Sequence, residues 1–68
     1  MKYLAVVTED SGRHVAREFD TIRDAQHWAE MQTPDPHALL KVYAGEYDEE
    51  GEWVDRQDYY YDGKEWTE

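Results

Sequence analysis

Only one stretch of this 68-residue chain carries a helical repeat, and that limits the fold more than any other feature. In "DTIRDAQHWAEMQ" (20–32), Ile22, Ala25, Trp28 and Ala29 fall on one stripe of a 3.6-residue period. Thr21 with Asp24 three positions later has capping-box spacing, and Asp24 sits where the helix dipole favours a carboxylate. Pro34 and Pro36 stop the helix, because proline lacks the N–H and restrains the residue before it.

The remaining segments read as strands. "KYLAVVTE" (2–9) has apolar residues on both parities, which predicts burial on both faces, and the turn-like "EDSG" follows it. "GRHVAREF" (12–19) is ambiguous and is compatible with a second short strand pairing back on the first. In "ALLKVYAGEY" (38–47), Leu40, Val42 and Ala44 point one way and Lys41, Tyr43 and Tyr47 the other. After the turn "DEEG", the strand "EWVDRQDYYY" (52–61) sets Arg56, Asp58 and Tyr60 on one face. Asp55, Gln57, Tyr59 and Tyr61 take the other. "DG" at 62–63 is a hairpin signal, and a two-residue turn there would place Tyr59 opposite Trp66.

The resulting expectation is one α+β domain over residues 1–68: a single helix on one face of a mainly antiparallel sheet, β-α-β-β-β. One helix covers one face of such a sheet, so the other must meet water or a partner. Trp28, Trp53 and Trp66 are expected in the core, which in so small a domain needs large side chains. The chain has no cysteine, which excludes disulfides and thiolate metal sites. Its N-terminal apolar run is too short for a membrane span or a signal peptide, so a soluble cytoplasmic protein is expected.

Charge is the second constraint. The net formal charge is −10, and it is uneven. Residues 1–42 hold five Lys/Arg against seven Asp/Glu, while residues 43–68 hold two against ten. Modest charge is enough for solubility, and excess like charge destabilises the compact state, so this imbalance points to a binding role. Aromatic residues make up 15% of the chain, which argues against a disordered acidic tail. Alternation would turn the acidic third into a row of carboxylates about 6.8 Å apart, with tyrosines between them.

Catalytic chemistry finds little support. His14, His27 and His37 have no zinc spacing. Asp58 and Asp62 suggest a calcium loop, but Tyr60 would stand at its position three and the closing glutamate would lie beyond Glu68. Ser11 and His14 lack a third group, and there is no phosphate-cradling glycine loop. The expectation is a non-enzyme without metal or cofactor. Direct contact with nucleic acid or an anionic membrane is disfavoured by charge repulsion.

A start at "MK" with an apolar strand, one helix, and strands ending in "YDGKEW" resembles small phage-encoded anti-CRISPR proteins of β-α-β-β-β build. The resemblance covers the element order of the whole chain. It implies a mode of action, occlusion of the positively charged path meant for DNA inside a host effector complex, and a location in the host cytoplasm. Members of like topology dock through lysines, of which this chain has few, so no residue is carried over.

The leading expectation is an acidic inhibitor that mimics the charge of nucleic acid and enters a basic groove. Glu46, Asp48, Glu49, Glu50, Glu52, Asp55, Asp58 and Asp62 would supply charge. Tyr43, Tyr47, Tyr60 and Tyr61 would supply contact area and hydrogen bonds. Two other readings stand beside it: an interaction or accessory domain, monomeric or paired through an open sheet edge, and a protein whose acidity serves solvation in high salt.

Overall fold

The computed structural model describes residues 1–32 and 35–68. Five strands form one antiparallel sheet: β1 (Lys2–Thr8), β2 (His14–Phe19), β3 (Leu39–Tyr47), β4 (Trp53–Tyr61) and β5 (Trp66–Thr67). One helix, α1 (Ile22–Met31), connects β2 to β3. The expected α+β architecture, one helix packed on one face of an antiparallel sheet, is the one observed. The ambiguous segment 12–19 supplies β2, an edge strand paired with β1, and the spatial order is β2-β1-β3-β4-β5.

The helix starts where the sequence places its cap. Thr21 is extended, and its hydroxyl accepts the Asp24 backbone N–H at 3.2 Å. It ends at Met31, with the Gln32 N–H bonded to the Ala29 carbonyl, and Pro36 lies in the turn beyond. The expected stop at Pro34 lies outside the described residues. Ala25 and Ala29 are fully buried against Ala5, Val7, Leu40 and Val42. Small residues at these helix positions let the backbone approach the sheet closely, and Phe19 and Trp28 close one side with ring centroids 5.7 Å apart.

The helix covers β1, β3 and part of β2, but it does not reach over β4 or β5. Tyr59, Tyr61 and Trp66 wall off the core on that side. Trp66 pairs with Tyr61, not with Tyr59 as a two-residue turn would require. The reason is the Asp62 side chain, whose Oδ1 accepts the backbone N–H groups of Lys64 and Glu65 at 2.8 and 2.9 Å. That capture widens the connection to four residues, with Gly63 at φ +100. The Tyr61 and Trp66 rings lie 5.3 Å apart.

Two further expectations change. The register between β3 and β4 slips between Ala44 and Gly45, so Arg56 is an extra residue in β4. Below the bulge Gln57 faces Ala44, and above it Asp55 faces Gly45. Asp55 therefore leaves the side expected for it and joins Asp58 and Tyr60. Trp53 lies on that same side, away from the core, with its indole over Gly45. Burial of β1 on both faces is likewise only half realised: Ala5 and Val7 are fully buried under the helix, while Leu4 and Val6 on the opposite face are half-buried.

Candidate binding face

The face opposite the helix is covered by no element among the described residues. Strand pairing orders it into cross-strand rows. One runs Glu18, Leu4, Tyr43, Asp58, and the next Lys2, Gly45, Asp55. A third runs Ala16, Val6, Lys41, Tyr60, Thr67. Beyond the glycine row Tyr47 faces Trp53, ring edge to ring face with centroids 5.3 Å apart. The surface is thus an aromatic and aliphatic belt with carboxylates set into it, not the regular anionic row expected from alternation.

The twelve residues expected to make contact divide into three groups. Tyr43, Tyr47, Asp55, Asp58 and Tyr60 lie together on the bare face. Asp48, Glu49, Glu50 and Glu52 lie in the β3–β4 turn at the end of that face. Asp48 has a structural task there, since its Oδ1 accepts the N–H groups of Glu50 and Glu52, both at 2.9 Å. This leaves Glu49, Glu50 and Glu52 as an exposed acidic tip.

The last three are elsewhere. Glu46 faces the opposite way, where Oε1 accepts Arg56 Nη2 and Nε at 2.8 and 3.1 Å. The bulge brings this pair about, because the extra residue turns Arg56 out of the row expected for it. Tyr61 is on the helix side under Trp66, and Asp62 caps the β4–β5 turn at the other end of the sheet. Glu46, Tyr61 and Asp62 thus lie apart from the bare face, in an ion pair, the core wall and a turn.

Sequence reasoning missed Leu4, Trp53 and Glu18. Leu4 and Trp53 join Tyr43 and Asp55 around a shallow recess of about 340 Å³. Glu18 accepts the Tyr47 hydroxyl at 2.6 Å. That bond to a carboxylate, followed by desolvation and the Glu18 charge, holds the Tyr47 phenol above its ordinary pKa. The signal for Leu4 was its parity opposite Ala5 and Val7; the signal for Trp53 was its place two residues before Asp55, on one side of the strand.

Asp55 and Asp58 are electrostatically unsettled. The Asp55 carboxyl is held above its ordinary pKa, first by sharing a hydrogen bond with Asp58, then by desolvation and the Asp58 charge. The nearby Trp53 side chain opposes the shift. Asp58 Oδ2 has a long contact, 3.4 Å, from the Tyr60 hydroxyl. Its Oδ1 is buried and meets no donor among the described residues.

A larger recess, about 500 Å³, opens at the other end between the helix terminus, the loop before β3 and the β4–β5 turn. Its carboxylates are engaged in holding the fold. Asp62 caps its turn, Asp35 accepts the backbone N–H groups of His37 and Asp10, and Glu30 accepts Trp66 Nε1 at 3.4 Å. No group of three or more His, Cys, Asp or Glu among the described residues is arranged to hold a metal ion. No described helix is long and apolar enough to cross a membrane. No protein-family model matches the chain, and no curated protein or solved structure is significantly similar to it.

Proposed function

We propose that this chain is a non-enzymatic acidic binding protein that occupies a basic groove built for nucleic acid, and so inhibits the protein it enters. The observation that supports this reading is spatial. Residues 43–68, which carry −8, build most of β3 and all of β4, β5 and their two turns, and the bare face there adds uncovered aromatic surface. Of the two cations in that segment, Arg56 is already bound to Glu46. Long-range attraction from the acidic tip would steer encounter, and Tyr43, Tyr47, Trp53 and Tyr60 would supply short-range contact. Inhibition of a CRISPR effector, the activity implied by the resemblance in element order, is the narrower form of the same proposal.

The test uses Glu49→Lys/Glu50→Lys/Asp55→Lys, which reverses charge at the tip and on the face without touching the core. The immobilised wild type should retain nucleic-acid-binding proteins from a low-salt extract, and duplex DNA should displace them as salt does. The triple variant should retain none. Equal retention by both, or retained proteins that keep full DNA affinity while bound, would remove the basis for the proposal.

The exposed Leu39, Tyr47 and Tyr60 favour a second reading, an interaction domain or homodimer without nucleic-acid mimicry. The outer edge of β4 is unpaired before Tyr60, but a bulge and acidic side chains guard it, and each copy carries −10. Salt-insensitive binding, or a dimer in sedimentation, would identify this alternative.

A further inference from the structure

The bare face holds one recess that fits a defined chemical group, and we propose that it takes a single arginine side chain from the partner, the anchor of the contact. This rests on the reading that the partner is basic. Leu4, Tyr43 and Trp53 form apolar walls, and Asp55 forms the lip. Asp58 lies directly across the strand pair from Tyr43, beside the recess but not in its lining.

Each part matches one part of arginine. The aliphatic stem packs on Leu4, as long cationic side chains do when they cover apolar surface. The planar guanidinium lies along the aromatic rings of Tyr43 and Trp53, where cation–π attraction and stacking favour it over an ammonium. Its forked N–H groups reach the Asp55 carboxylate at the lip, and the nearby Asp58 charge adds long-range attraction for a cation. Lysine offers a compact, strongly hydrated charge and no plane. An apolar ligand would leave the carboxylates as they are. Lys2, on the Asp55 row, is already bonded to Asp20. Lys41, on the neighbouring row, lies over the Tyr60 ring with its ammonium 5.5 Å from the centroid.

The bulge is what creates the site. With regular alternation Asp55 would face the other way and the lip would be absent. Gly45 completes it, since a side chain there would displace the Trp53 ring.

The experiment needs no partner. The full chain, labelled with nitrogen-15, is titrated with N-acetyl-arginine amide, and separately with the lysine, citrulline and leucine analogues. Arginine should shift the amides of Leu4, Tyr43, Asp55 and Asp58 and the Trp53 indole N–H, and the shifts should saturate. Lysine should bind about two- to fivefold more weakly. Citrulline, the neutral isostere, and leucine should leave these signals in place. Asp55→Asn, nearly isosteric, should abolish the arginine response while the helix-side amides keep their positions.

Arginine shifts spread over Glu49, Glu50 and the other exposed carboxylates without saturation would overturn the recess and leave the groove proposal standing. Equal response to lysine or leucine, or an unchanged response in Asp55→Asn, would overturn it too. A saturating arginine response from a chain that retains no DNA-displaceable partner would keep the recess and refute the groove.

Discussion

Gly45→Ala is the sharpest test of the packing that shapes the bare face. A Cβ at this position would lie 2.5 Å from the Val54 carbonyl oxygen and 2.6 Å from the Trp53 ring. The ring can swing aside, but the carbonyl is backbone in the next strand, fixed by the pairing of Glu46 with Val54 just past the bulge. Overpacking of this kind costs about 1–3 kcal/mol. Replacing glycine within a strand returns about 0.5–1 kcal/mol by reducing the freedom of the unfolded chain. The clash is the larger effect, and the net loss is about 1–2 kcal/mol. For a domain of this size each kcal/mol lowers the melting temperature by about 4–8 °C, so a fall of roughly 5–15 °C is expected. Thermal unfolding followed by circular dichroism reads that fall. The Trp53 indole N–H resonance reads the cause, since Trp28 and Trp66 lie on the other side of the sheet and should not move. A variant as stable as the parent, with the Trp53 signal unchanged, would refute the account.

Two further predictions concern the ends of elements. Thr21→Ala removes the acceptor of the Asp24 N–H at the helix start and should cost about 1 kcal/mol in chemical denaturation, with Thr21→Ser close to the parent. The Asp62 carboxyl is held below its ordinary pKa, mainly by the Glu65 N–H and then the Lys64 N–H. A depressed folded value stabilises the fold above the unfolded value, and that contribution is lost as pH falls through the folded one. The near-ultraviolet signal of the Tyr61–Trp66 pair should therefore weaken below the usual carboxylate range in the parent. Asp62→Asn, which keeps the accepting oxygen, should lose that acid dependence, while Asp62→Ala should show the weakened signal at all pH values.

Local rules made the elements legible in the sequence. The stripe of Ile22, Ala25, Trp28 and Ala29, the Thr21 cap and the alternation of Leu40, Val42 and Ala44 each obey one period and one burial direction, and each is found as read. The misplacements share a different origin. Asp55 and Arg56 were assigned by counting alternate positions through a strand that gains a residue, whereas Glu46 follows the parity of Leu40, Val42 and Ala44 in β3. Gly45, unusual inside a strand, was the available warning. Trp66 was misaligned because the Asp62 side chain competes for backbone N–H groups that a two-residue turn leaves alone. The charge imbalance was plain in the sequence. The recess was not, because Leu4 and Trp53 are 49 positions apart and meet only through the pairing of β1, β3 and β4.

The helix stops short of β4 and β5, and that has a consequence for how the chain can change over generations. Ala5, Val7, Ala25, Ala29 and Val42 pack together beneath the helix, whereas Trp53, Asp55 and Tyr60 lie on the other side of the sheet and share little packing with them. Substitutions can therefore alter the outer blade while the scaffold beneath it stays put.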